Sequence, residues 1–387
     1  MTTSRAAAVA PWPALTGRRV VAVDVARGVA LLAMMTVHVL PGTDADGRVS
    51  AAYVVASGRA SALFAVLAGV GLALLTGGPA RRVPPGTRAA VLTRALVVAG
   101  IGMLLVELQP PVAVILTNYG LLFAVAVPFL RLRRAALLAV AAGWLVVAPL
   151  LAQLLRSGRE PGPGPQPSFA DLANPLDLLG RLALTGYYPV LTWTPYLLVG
   201  LAVGRTALDS RRAGVRLLLA AGGWDALRRS GPAEAVGAAF GLPQLQLRSL
   251  HGAPPTTTWW WQAVLSPHSG TPFDLAQTIG SALVVVGLAL VVVRLAPRWR
   301  GGGGRLGRGA VAALAATGST TQSLYSQHVV VMATGIGRDH RVELLLVQVV
   351  VVVVLASLWR SGAPRGPLEQ AVASASGAVR DAVARGR

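Results

Sequence analysis

The chain has no cysteine and no lysine among its 387 residues, and only 15 acidic side chains against 35 basic ones, all arginine. Without cysteine there are no disulfides, no thiolate-held metals, no covalent haem attachment and no palmitoyl anchor. Without lysine, neither retinal nor pyridoxal phosphate can be carried as a Schiff base. The five histidines lack HxxxH-type spacing, so no metal is indicated. Charge is scarce, 13% of residues where soluble domains carry about a quarter. Hydrophobic residues make up 54%, and the mean hydropathy is +0.60.

What is present in abundance is apolar sequence. Runs able to cross a bilayer recur at 19–40, 52–76, 89–108, 112–130, 135–155, 187–205, 213–224, 272–294, 309–335 and 342–360. The expectation is an all-α, polytopic integral membrane protein with about ten transmembrane helices and both termini cytoplasmic. The seventh run, Ala213 to Trp224, is short for a crossing and has room to extend toward Arg228. Charge parity supports it, because without it the basic, glycine-rich loop from Arg294 to Arg308 would face outward. With it, more than twice as many arginines lie in inner segments as in outer ones. That is the positive-inside pattern of a protein of the cytoplasmic (inner) membrane. It makes anionic membrane lipids, rather than nucleic acid, the partners of the net charge of +20. Asp24 and Arg27 interrupt the first run, and Pro11 and Pro13 precede it, which argues against a cleaved signal peptide.

The chain divides into a cytoplasmic tail (1–18), a first membrane region (19–155), an outer loop (156–186), a second membrane region (187–360) and a basic cytoplasmic tail (361–387). The outer loop opens with a Pro/Gly linker at Pro161–Pro167 that excludes helix, after which Pro175 to Thr185 is placed at the interface. A second outer segment runs from Asp225 to Thr271 and carries Trp259, Trp260 and Trp261. These tryptophans read either as an aromatic belt or as a sugar-stacking platform. There is no internal repeat and no separate soluble domain.

Within the first run, Arg27 and His38 are eleven positions apart, so on a helix they face within about 20° of each other and stand about 16 Å apart along the axis. Asp24 falls on the same stripe. Ionisable groups at that depth usually line a bundle interior or a polar pathway. The plainer alternative is an i,i+3 pair of Asp24 with Arg27 at the interface and a helix-end role for His38. Other polar side chains gather toward the outer half: Arg59, Asn118, Tyr119, His268, Asp274, Gln277, Tyr325 and His328. Arg59 needs a carboxylate, from Asp274 or Glu107, or a charged ligand. Tyr325 and His328 share a helical face. Histidines among hydroxyl and carboxamide groups suit general acid–base chemistry, although His328 could equally be a helix-to-helix hydrogen bond.

The stretch Val23-Asp-Val-Ala-Arg-Gly-Val-Ala-Leu-Leu-Ala-Met-Met-Thr-Val-His38 resembles the first span of the transmembrane acyltransferase superfamily. Gly58-Arg-Ala-Ser-Ala-Leu-Phe-Ala-Val-Leu-Ala-Gly69 resembles the bacterial branch of the heparan-α-glucosaminide N-acetyltransferase family. The second half is similar to the bacterial domain of unknown function 418 at Pro267–Asp274, Ile279–Ser281, Ser323–His328 and Arg365–Glu369. The resemblance implies a membrane acyltransferase that moves an acyl group, acetyl in the first instance, from cytoplasmic acyl-CoA (acetyl-CoA) to an extracytoplasmic sugar or cell-envelope glycan. It implies His38 as the catalytic histidine, with Asp24 and Arg27 beside it and Arg27 holding the CoA donor. The remaining polar residues would bind acceptor. A proton-coupled transporter or exporter using the same stripe stays open, as does a non-catalytic membrane partner protein. Oligomeric state is not encoded legibly.

Overall fold

The computed structural model describes residues 20–43, 46, 48–81, 83–158, 162–229, 249–252, 254–362 and 365–386. The 1–18 tail and the 230–248 part of the second outer segment lie outside the described residues. The described residues are mostly helical, and among them no strand forms; one isolated bridge pairs Thr43 with Val49.

Fourteen helices carry the described chain. They are α1 (Val21–Val39), α2 (Ala51–Ala56), α3 (Arg59–Leu75), α4 (Thr87–Val106), α5 (Leu116–Ala126), α6 (Arg134–Arg156) and α7 (Pro175–Gly180). There follow α8 (Val190–Gly204), α9 (Ala213–Arg229), α10 (Pro272–Leu295), α11 (Gly301–Ser319), α12 (Thr321–Thr334), α13 (Arg341–Gly362) and α14 (Pro367–Arg385). Among the described residues six helical stretches are long and apolar enough to cross a membrane, and Leu116–Arg131 and Val190–Gly204 are shorter apolar helices. Large apolar side chains cover their outside: Leu96 on α4, Leu154 on α6, and Leu346, Val350 and Leu358 on α13 are all exposed. A water-facing surface of that kind would aggregate, whereas a lipid-facing one is at equilibrium. The protein is a multi-pass membrane protein.

Most expected runs coincide with a helix or a helix pair, and three differ instructively. The second is broken at Gly58, whose φ of +72° suits glycine and lets α2 stop and α3 restart. The ninth is broken at Thr320, between α11 and α12. The seventh grows to 17 residues, through Arg229. The glycine-rich stretch expected as a loop is instead the first turn of α11, and the polar tail coils into α14.

Small residues let the backbones meet. A Cβ on Gly318 would lie 1.7 Å from the Asp24 carbonyl oxygen, and one on Gly28 would lie 2.3 Å from that of Leu314. Helices α1 and α11 are thus in main-chain contact, as are α3 and α8 through Gly69 and Gly200. At the opposite end of α8, the Arg205 guanidinium gathers the carbonyls of Ala73, Thr76, Gly78 and Leu130, tying the ends of three elements together. The tail helix docks as well. Glu369 accepts from the amides of Gln322 (2.6 Å) and Ser323 (3.1 Å) and from the Ser323 hydroxyl, which caps the N-terminus of α12.

Candidate active site

Helix α1 supplies Asp24, Arg27 and His38, and its two ends meet different neighbours. Near its start, Arg27 pairs with buried Asp24 at 3.5 Å and reaches the Leu67 carbonyl on α3, also at 3.5 Å. The open Cβ position of Gly71 gives the guanidinium room against α3. The i,i+3 pair is therefore real, and it is anchored across a helix seam. Arg94 on α4, Arg365 and Glu369 all lie within electrostatic reach of this region.

Near the far end of α1, the half-buried His38 ring lies edge to edge with that of His328, nearly coplanar, with centroids 5.3 Å apart and planes 13° apart. His38 Nδ1 is 3.1 Å from His328 Nε2. His328 is fully buried, and its Nδ1 is 2.7 Å from Gln348 Oε1 on α13. The Gln348 amide nitrogen faces the Met332 sulfur at 4.0 Å, which leaves its carbonyl for His328. This network assigns the protons in one order. His328 donates from Nδ1 to Gln348 and accepts at Nε2 from His38 Nδ1–H. His38 Nε2 is then the basic nitrogen. A ring whose one nitrogen is held by a partner has its tautomer and direction set, the logic of an oriented general base.

An aromatic nest lies beside the pair. His268 stacks on Trp193 (6.4 Å) and His251 (6.2 Å) and meets Tyr188 edge-on at 5.7 Å. Burial, aided by neighbouring His251, pushes His268 down to about 3, so it stays neutral, and burial also lowers His251. His268 is within electrostatic reach of His38.

The other expected site residues are spread through the packing. Asn118 donates to the Tyr188 carbonyl at 3.0 Å, and Tyr119 donates to the Ser61 carbonyl at 3.3 Å. The Tyr325 hydroxyl accepts from the Ile115 amide at 3.3 Å. Asp274 accepts from the Gly270 amide at 3.0 Å in the first turn of α10, which Thr271 caps. Arg59 donates to the Val54 carbonyl and lies within electrostatic reach of Asp274, while Glu107 binds the Phe169 amide. Gln277 is half-buried one turn along α10. Among the described residues no cluster of three or more metal-ligating side chains forms. Gln348 was not singled out from sequence, although one carboxamide inside a valine-rich span was a visible signal.

These features define a class: a helical membrane protein with an oriented histidine pair between its helices. Residues 19–225 match the catalytic domain of heparan-α-glucosaminide N-acetyltransferase, more than half of the chain, and the protein belongs to that family of membrane acetyltransferases. The match runs beyond the first membrane region through α8 and into α9. A search of curated proteins finds no match.

Proposed function

We propose that this protein transfers an acetyl or related acyl group from cytoplasmic acyl-CoA to a hydroxyl or amine on an extracytoplasmic sugar or cell-envelope glycan, across the cytoplasmic membrane. The observation that carries the reading is the His38–His328–Gln348 chain, which leaves His38 Nε2 as an oriented base at the half-buried end. In the proposed reaction His38 Nε2 takes the acceptor's proton as the oxygen or nitrogen attacks the thioester carbonyl. The carbon–sulfur bond breaks, and His38 returns the proton to the departing thiolate, so the products are free CoA and the acylated acceptor. His328 supports the passing imidazolium by accepting from its Nδ1–H. Arg27, with Asp24 fixing it, would hold the donor about 16 Å below, a span that suits an extended pantetheine arm. Arg59, Gln277 and the His268 nest would face the acceptor.

The test is chemical. Purified protein in lipid nanodiscs, given acetyl-CoA and a panel of amino sugars and envelope glycans, should release one free thiol per acetyl group transferred. Solute exchange without thiol release would instead support the transporter reading.

A further inference from the structure

The five arginines between Arg294 and Arg308 take no part in the reaction above, and no acidic residue occurs in sequence between Leu275 and Arg338. Arg300, Arg305 and Arg308 line an open surface cavity of about 370 Å³ with Pro297, Trp299 and Gly301. Among the described residues none of the three pairs with a carboxylate. Arg308 donates to the Trp299 carbonyl, while Arg300 and Arg305 are exposed. The Trp299 ring lies on α11 at Gly307, where a Cβ would stand 2.8 Å from ring atoms, and Gly304 makes room for the Trp299 main chain, 2.7 Å from where a Cβ would sit. Among the described residues nothing lies within 4 Å of the Cβ positions of Gly301, Gly302 and Gly303, and the side chain of the N-cap residue Arg300 does not cap the first-turn amides of this 19-residue helix. Three guanidinium groups and these amides all favour an anion of more than one charge. Planar guanidinium forks fit phosphate oxygens in pairs, and an aromatic wall covers the ligand's less polar side.

We propose that the cavity between Trp299 and the first turns of α11 binds a phosphate group through Arg300, Arg305 and Arg308. In the ten-span arrangement it opens on the cytoplasmic face. Two sources carry this chemistry there: the phosphorylated nucleotide of a CoA ester, an arm that rests on the acyl-transfer reading, and the headgroup of an anionic phospholipid, which does not.

Full-length protein in phosphatidylcholine nanodiscs is titrated with adenosine 3′,5′-bisphosphate by calorimetry. In parallel, protein extracted from mixed phosphatidylglycerol–phosphatidylcholine membranes is examined by native mass spectrometry for retained phosphatidylglycerol. Arg305→Ala/Arg308→Ala, Arg305→Gln alone, which disturbs no intramolecular hydrogen bond, and Arg27→Ala are compared. Nucleotide binding weakened at least tenfold by the double variant identifies the donor nucleotide as occupant. Retained phosphatidylglycerol lost in the double variant identifies the lipid, and stands whether or not acyl transfer is ever observed. Arg305→Gln should give a smaller loss in the same assay at an unchanged melting temperature. Neither probe bound, or binding that only Arg27→Ala reduces, overturns the proposal.

Discussion

His38 Nδ1 and His328 Nε2 lie 3.1 Å apart, although 290 residues separate them in the chain. The contact joins the half matched by the acetyltransferase family to a half that lies beyond that match. In the proposed reaction the base therefore depends on both halves for its direction.

The first prediction follows directly. His38→Ala should lower acyl transfer by about 10² to 10⁴, the usual cost of losing a general acid–base group. Gln348→Leu should lower it by about tenfold, because His328 then loses the partner that fixes its tautomer. Thiol-release rates and thermal melting, measured together, check this: activity should fall in both variants with only a small change in melting for His38→Ala.

The membrane helices were legible because apolar length is a local property, and the Asp24–Arg27–His38 stripe because helical periodicity is local too. The His38–His328 contact was not, since nothing in either segment says which helices become neighbours. Tyr325, Asn118 and Asp274 drew attention as polar residues in apolar surroundings. The same observation fits residues whose polar atoms serve backbone groups, which is how the structure uses these three. The four glycines from Gly301 to Gly304 read as loop because glycine is a poor helix former. In the fold, Gly304 and the later Gly307 make room for Trp299. The tail helix α14 was hidden by its polarity. Its signal was Glu369, whose charge is used at the N-terminus of α12.

The glycine contact between α1 and α11 leads to a stability prediction. Gly318→Val puts side-chain atoms where the Asp24 carbonyl sits, and a backbone oxygen cannot swing aside. The expected cost is about 1–3 kcal/mol, the usual penalty for overpacking. Melting in detergent should fall, and activity should fall with it, because the same shift moves Asp24 and Arg27.

Arg205→Ala should cost about 2–4 kcal/mol, since it strands four buried carbonyl groups at once. Arg205→Lys should recover only part of this. One ammonium cannot span the ends of α3, the 78–80 turn and the turn after α5. Denaturation of the two variants side by side distinguishes geometry from charge.

Acid should loosen the outer aromatic nest. Native His268 stays neutral down to about 3, whereas the released chain takes up a proton near the ordinary 6.5. Between those values the opened form binds more protons. Stability is therefore complete above about pH 6.5 and falls by about 1.4 kcal/mol per unit as the pH drops toward 3. Asp171 acts in the same direction at lower pH. Partial burial raises it, but the Ser168 amide and Arg181 outweigh that and hold it below 3.8. Hydrogen exchange at residues 249–271 should accelerate on acidification in the wild type and much less in His268→Phe.

The central claim is that acyl groups cross the membrane through chemistry at His38. Sealed proteoliposomes with radiolabelled acetyl-CoA on the cytoplasmic side and glucosamine and envelope glycans on the other test it most directly. The account predicts labelled, acetylated sugar on the far side, one free thiol on the near side for each, and loss of both in His38→Ala. No thiol release with any acceptor, or full transfer by His38→Ala, would contradict it.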